Sequence, residues 1–234
     1  RTIPLGALHD GEEFLIERYA VATTPAVSLV TSLDARGIER LFIAGLTESV
    51  QGFSALPSVS REIETVSMIF PAESLKDQSF QRAEVVTRLS TGGFSAAHLA
   101  THGKFSADHR ESFILTYDDR LTMDGLQSAL SRRGDESLDL LVLSACETAS
   151  GDDRAALGLA GVAVQSGASS AIASLWFISD AATADLMDRF YTNLKTGEAS
   201  KAESLRQAQL ALMASPDFQH PSYWAPYLLI GNWL

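Results

Sequence analysis

Apolar residues along this chain fall into two kinds of stretch. One is the short, mostly apolar run, at 41–46 (Leu-Phe-Ile-Ala-Gly-Leu), 96–100, 113–116, 138–145, 168–175 and 227–230. Runs of this length, bounded by charge or by turn residues, read as buried strands. The other kind repeats at helical spacing. Val59, Ile63, Val66, Ile69 and Phe70 place an amphipathic helix over 59–70, which Pro71 stops, and the same pattern recurs over 80–89, 181–194 and 199–213. Residues 155–166, rich in Ala, Gly and Leu, suit a helix packed closely on a sheet. Thr122 stands before Met-Asp-Gly-Leu as the cap of a further helix.

At the start of the chain, 5–7 and 14–19 flank the turn signal His9-Asp10-Gly11 and read as a hairpin, and Pro25 precedes a short apolar stretch at 26–30. From there strands and helices alternate, with no internal repeat or low-complexity tract. Alternation of this kind predicts an α/β fold, a mostly parallel central sheet with helices on both faces. With 234 residues and 46% hydrophobic content, the chain suits one large α/β domain or two small ones.

Charge and composition narrow the function classes. The formal net charge of -11, from 18 basic and 29 acidic residues, argues against a nucleic-acid surface, which needs clustered Lys and Arg. The five histidines show no metal-ligand spacing, so neither a metal nor another cofactor is expected. No apolar stretch reaches the roughly 18 residues of a membrane span. Residues 1–10 lack the apolar core of a secretory signal, and the chain begins with Arg, so it reads as a piece of a longer protein. A lone cysteine forms no internal disulfide, and a reactive lone thiol is easiest to keep in a reducing cytosol.

That cysteine carries the candidate chemistry. Cys146 follows the apolar run of 138–145 and opens into the polar, small-residue stretch 147–154, whereas a structural core cysteine would lie within the strand. The run 96–100 ends at Thr101-His102-Gly103, so two buried strands deliver a thiol and an imidazole to one edge of a sheet, where open α/β sheets place their sites. A free thiol, with a pKa of about 8.5, is only a few per cent thiolate near neutrality. A nearby imidazole supplies the missing thiolate and then protonates the leaving amine. His102 has a plainer alternative as a satisfied histidine at a strand end. His98, four residues earlier, falls in the body of the strand and reads as structural.

Several pieces, in order, resemble the CHAT-domain family of caspase-like (clan CD) cysteine peptidases, often found beside tetratricopeptide (TPR) repeats, and more distantly separase. They are His98-Leu-Ala-Thr-His102-Gly103-Lys-Phe105, Leu141-Val-Leu-Ser-Ala145-Cys146-Glu-Thr148, Gly158-Leu-Ala-Gly161, Ser174-Leu-Trp176-Phe-Ile-Ser-Asp180, and Tyr223-Trp224-Ala-Pro-Tyr227 with Ile230-Gly231. The resemblance implies a caspase-like three-layer α/β/α sandwich over 1–234, a single peptidase domain forming the C-terminal part of a longer protein with an N-terminal TPR-like region. It also implies a cysteine endopeptidase of the cytoplasm, commonly of bacterial defence or programmed death, acting on a protein or peptide substrate. That TPR-type region or a regulatory protein would control it.

Within that frame His102 is general base and acid, and the N–H groups of Gly103 and Cys146 form the oxyanion hole. In separase a similar Trp-x-x-x-Asp pattern supplies the carboxylate that binds arginine before the cut. Asp180 would do the same here, with Trp176 lining the pocket; the alternatives are a helix N-cap at Ser179 or Asp180, and a core tryptophan. Asp152, Asp153 and Arg154 sit in a loop where related peptidases are activated; a solvated loop is the plainer reading, and Arg154 is a natural self-cleavage point. Glu147 and Thr148 would orient that loop. No third catalytic residue is evident. Two other functions remain open: a regulated interaction or switch module with a closed or unused site, and acyl transfer or hydrolysis of a small molecule by the same dyad, which predicts a pocket without a carboxylate at its base.

Overall fold

The computed structural model describes residues 3–24, 37–105, 112–134, 136–144, 147–148, 167–176 and 178–234, with 105, 147 and 148 described as backbone. Cys146, the short apolar stretch at 26–30, the predicted helix at 155–166 and the Asp152-Asp153-Arg154 cluster lie outside these residues. The strands are β1 (Ala22–Thr23), β2 (Leu41–Gly45), β3 (Ala72–Lys76), β4 (Ala96–Ala100), β5 (Gly103–Phe105), β6 (Phe113–Leu115), β7 (Arg120–Thr122), β8 (Leu138–Leu143), β9 (Glu147–Thr148), β10 (Ala168–Ser174) and β11 (Tyr227–Gly231). The α-helices are α1 (Leu15–Arg18), α2 (Ser58–Ile69), α3 (Arg82–Thr91), α4 (Met123–Ser131), α5 (Asp180–Thr196), α6 (Lys201–Met213) and α7 (Pro221–Trp224).

Seven strands form the central sheet in the order β1-β11-β10-β8-β4-β2-β3. Every neighbouring pair is parallel except β10 with β11. The mostly apolar runs are explained by burial on both faces. In β2, Phe42 and Ala44 join the core beneath α3 and α4, while Leu41 and Ile43 join the core beneath α2, α5 and α6. The result is a three-layer α/β/α sandwich with two cores.

α2 shows how the sequence sets an element. Val59, Ile63 and Val66 are buried along one face, each contributing about 1.5–3 kcal/mol relative to exposure. The residue before Pro71 cannot stay helical, and Phe70 turns extended at φ -124, ψ 146. Gly45 permits the close approach of the neighbouring elements, because a Cβ there would lie 2.6 Å from both the Ala100 carbonyl oxygen and Val59 Cγ1.

Three expectations need correction. The apolar stretches flanking the first turn are not strands: Leu5–Ala7 is a 3-10 turn and Leu15–Arg18 a helical turn. The turn itself is held by Asp10, whose Oδ1 accepts the N–H groups of Glu12 and Glu13, with one antiparallel bridge between His9 and Phe14. The helix expected at 80–89 begins instead at Arg82, with Phe80 fully buried ahead of it. Its first turn is capped by Asp118, whose carboxylate accepts the Arg82 N–H at 2.8 Å. Finally, β3 and three strands of a second small sheet, β7-β6-β5-β9, are ones that the apolar pattern does not reveal; the fourth, β6, is the run expected at 113–116.

Candidate active site

Parallel strands bring their carboxyl ends to one edge of the sheet. β2, β4 and β8 run side by side, so the residues after Gly45, Ala100 and Leu143 meet there. β10 lies beside β8 with the same direction and leads to Asp180. The edge thus collects His102, Ser144 at the end of β8, and Asp180.

His102 sits between β4 and β5 with its backbone clamped. Thr101 Oγ1 donates to the Leu115 carbonyl at 2.9 Å, and the Leu115 N–H donates to the His102 carbonyl at 2.8 Å. The ring is 6% exposed. It lies against Phe53, with centroids 5.1 Å apart at 36°, and Phe53 meets Phe113 edge-on. His102 Nε2 is 2.8 Å from the Ser54 carbonyl oxygen. A carbonyl only accepts, so Nε2 is the donor, and in the neutral imidazole Nδ1 is then the nitrogen with the lone pair. Sequence reasoning found no third participant, and none was available to it: any residue at position 54 brings a carbonyl.

The small sheet frames the other side. Glu147 pairs in parallel with Lys104 and Thr148 with Phe105. At the end of β8, the Ser144 N–H donates to the Leu99 carbonyl at 3.2 Å. The described residues on both sides of 145–146 therefore lie beside the chain that carries His102. Gly103 stands opposite Ile114 in the β5–β6 ladder. Because the flanking bond runs from Leu115 N–H to His102 carbonyl, Gly103 and Ile114 are a non-hydrogen-bonded pair. The Gly103 N–H is thus directed away from β6, toward the side on which β9 lies.

Asp180 is the first residue of α5, and its Oδ2 accepts the Ser58 N–H at 2.6 Å, the first N–H of α2. Ser179 occupies the N-cap position of α5 without a side-chain capping bond, so the expected Ser179 cap is replaced by a carboxylate that caps the neighbouring helix. Ser54, in the loop before α2, and Ser58, the first residue of α2, contact His102 and Asp180 from positions four residues apart. Trp176 is half-buried against the α2–α5–α6 core, and its Nε1 donates to the Ser222 carbonyl at 3.0 Å.

His98 is a different kind of histidine. It is fully buried in the middle of β4. Its Nδ1 is 3.0 Å from the Tyr191 hydroxyl; its Nε2 approaches Glu62 Oε1 to 2.8 Å, off the line a hydrogen bond needs. Burial, with the Glu62 carboxylate adding to it, pushes the Tyr191 phenol well above its usual 10.0, so the hydroxyl stays neutral. Among the described residues no group of three or more His, Cys, Asp or Glu side chains is arranged to hold a metal ion. Nor, among them, is any helix long and apolar enough to cross a membrane.

Similar proteins bear on the fold and the family. The structure matches that of the Arg-specific cysteine proteinase gingipain R (RgpB) with a TM-score of 0.57 at 9% identity, over 84% of this chain and 46% of that one. It matches the complex of Porphyromonas gingivalis RgpB pro- and mature domains at 0.55 and 11% identity, over 83% and 47%. The protein GSU0716 of Geobacter sulfurreducens matches at 0.50 and 12%, over 82% and 91%. At such identities the likeness is one of fold, the caspase-like α/β sandwich. In sequence, 100 residues are 36% identical to the mouse (Mus musculus) tetratricopeptide repeat protein 28, covering 41% of this chain and 4% of that protein. The chain therefore spans under half of each gingipain chain and a small part of the mouse protein. The CHAT domain model matches residues 1–232, and the chain belongs to the CHAT-domain family.

Proposed function

We propose that this chain is a cysteine endopeptidase that uses Cys146 and His102 to cut protein substrates after arginine. The observation that carries the reading is the bond from His102 Nε2 to the Ser54 carbonyl, which leaves Nδ1 as the base. In the mechanism, Nδ1 takes the Cys146 proton and the thiolate attacks the scissile carbonyl. The N–H groups of Gly103 and Cys146 hold the oxyanion. The imidazolium then returns its proton to the departing amine, and water hydrolyses the acyl-enzyme.

Arginine specificity rests on Asp180, whose carboxylate uses one lone pair on Ser58 and has others to offer a guanidinium. Gingipain R, described as Arg-specific, shares the fold. We further propose that residues 1–234 form one peptidase domain, controlled in the cytoplasm by an N-terminal repeat region; the likeness to a tetratricopeptide repeat protein supports such a partner.

One observation favours a second reading, a switch module with a closed site: His102 is 6% exposed, with Phe53 over its ring. Fluorogenic peptides ending in Arg, Lys, Asp or Leu separate the two. The peptidase cleaves the arginyl peptide preferentially and loses this with Cys146→Ala or His102→Ala. Cleavage of none, with or without a repeat-containing partner, leaves the switch reading.

A further inference from the structure

We infer that Asp77 and Gln51 are positioning residues for His102, acting through the loop of residues 47–58; the inference builds on the proposed role of His102 as base. The loop leaves the carboxyl end of β2 and returns to start α2. Its root is tied to Asp77, whose Oδ1 accepts the N–H groups of Thr47 at 2.6 Å and Glu48 at 3.2 Å, and whose Oδ2 accepts the Thr47 hydroxyl at 2.7 Å. Thr47 in turn holds the far arm, because its carbonyl accepts the Leu56 N–H at 3.2 Å, two residues beyond Ser54. The crown is tied by Gln51, whose Nε2 lies 2.9 Å from the Thr116 carbonyl oxygen and 3.3 and 3.4 Å from those of Tyr117 and Asp119. Between these ties sit Phe53, against the His102 ring, and Ser54, whose carbonyl accepts from Nε2.

Backbone strain gives a second, independent indication. Among the described residues, Gln51 (φ 52) and Asp77 (φ 49) are the non-glycine residues in the left-handed region. Such conformations are costly and persist where the surroundings hold them in place. Here one strained residue, Asp77, holds the root of the loop from outside it, and the other, Gln51, ties the loop's crown to the turn at 116–119. Glycine would fit either backbone better, so their side chains supply what glycine lacks: an amide that fastens the crown and a carboxylate that fastens the root.

The test reads the tautomer of His102 in the resting protein, without substrate. Long-range 1H–15N correlation on histidine-labelled protein, with His102→Gln assigning the signal, reports which ring nitrogen carries the proton. The parent should show His102 protonated at Nε2. Gln51→Gly relieves the strained φ and so should keep its thermal midpoint, yet the ratio of Nε2–H to Nδ1–H should fall about fivefold, the size of one net hydrogen bond. Asp77→Ala should do the same, and Asp77→Asn, which tolerates the left-handed backbone and keeps an acceptor, should restore most of it. Folded variants with an unchanged tautomer ratio, or a parent that is not protonated at Nε2, overturn the inference. A protein that cleaves no peptide but still shifts tautomer in these variants loses the peptidase reading and keeps this one.

Discussion

The carboxylate of Asp180 and the backbone N–H of Ser58 meet at 2.6 Å, so the head of α5 supplies the anion for the head of α2. A carboxylate there is favoured by the unsatisfied N–H groups and the positive end of the helix dipole. Asp180 therefore has a structural job beside its proposed role in binding arginine. Replacing it by alanine removes both. Asparagine separates them, because its amide oxygen still accepts from Ser58 while the charge is gone. Asp180→Asn should lower kcat/KM for an arginyl peptide by about a hundredfold against a leucyl one, the scale of a charged hydrogen-bonded pair, with unfolding by urea nearly unchanged. Asp180→Ala should add a loss of about 1 kcal/mol in stability. An arginine preference that survives Asp180→Asn would confine Asp180 to capping α2.

The two histidines of β4 and its exit should separate cleanly. His98→Ala strands the Tyr191 hydroxyl and the Glu62 carboxylate in a dry core, with an expected cost of about 2–4 kcal/mol. Peptide cleavage per folded molecule should stay near the parent. His102→Ala should do the reverse. Paired urea unfolding and active-site titration check both.

Far from this edge, Lys201 Nζ lies 3.1 and 3.0 Å from the two carboxylate oxygens of Asp139, with the side chains 3% and 9% exposed. Breaking a buried pair from one side leaves an uncompensated charge. Lys201→Met should destabilise the protein by about 3–5 kcal/mol, and Lys201→Met with Asp139→Leu should recover most of that. A double-mutant cycle by urea unfolding measures the difference, and additive losses would refute the pairing.

Asp118 ties stability to acid. Partial burial pushes its carboxyl up, but the N–H of Arg82 and the hydroxyl of Thr116 pull it further down, to a net value below the ordinary 3.8. A carboxyl with a folded pKa below its unfolded one stabilises fully above the unfolded value and loses that contribution as pH falls through the folded one. Asp118→Asn should therefore be less stable than the parent at neutral pH, with the gap closing below about pH 4. Thermal midpoints across that range test it; a gap that widens in acid contradicts it.

The central sheet was legible because β2, β4, β8 and β10 are covered on both faces and so are written as short runs in which apolar and small residues dominate. β3 was not, since of Ala72–Lys76 only Leu75 is buried at this sheet edge. β5 and β9, three and two residues long, are too short to carry a pattern. Residues 5–7 and 14–19 mislead for a related reason, as short apolar stretches serve helical turns and strands equally well. In the site, the placement of His102 and Asp180 after parallel strands could be read from residue type and position. The Ser54 carbonyl could not, because backbone groups leave no trace in residue type. The bond from Asp180 to Ser58 depends on where two helices start in space.

The account stands on a Cys146 thiolate served by His102 beside a pocket for arginine. Its most direct test is intact-mass labelling of the purified protein by an arginyl acyloxymethyl ketone, beside an aspartyl version and a Cys146→Ala control. The account predicts a single adduct from the arginyl probe alone, absent in the control and strongly slowed by His102→Ala. A folded protein in which a small unselective alkylator modifies Cys146 while neither ketone does would contradict it.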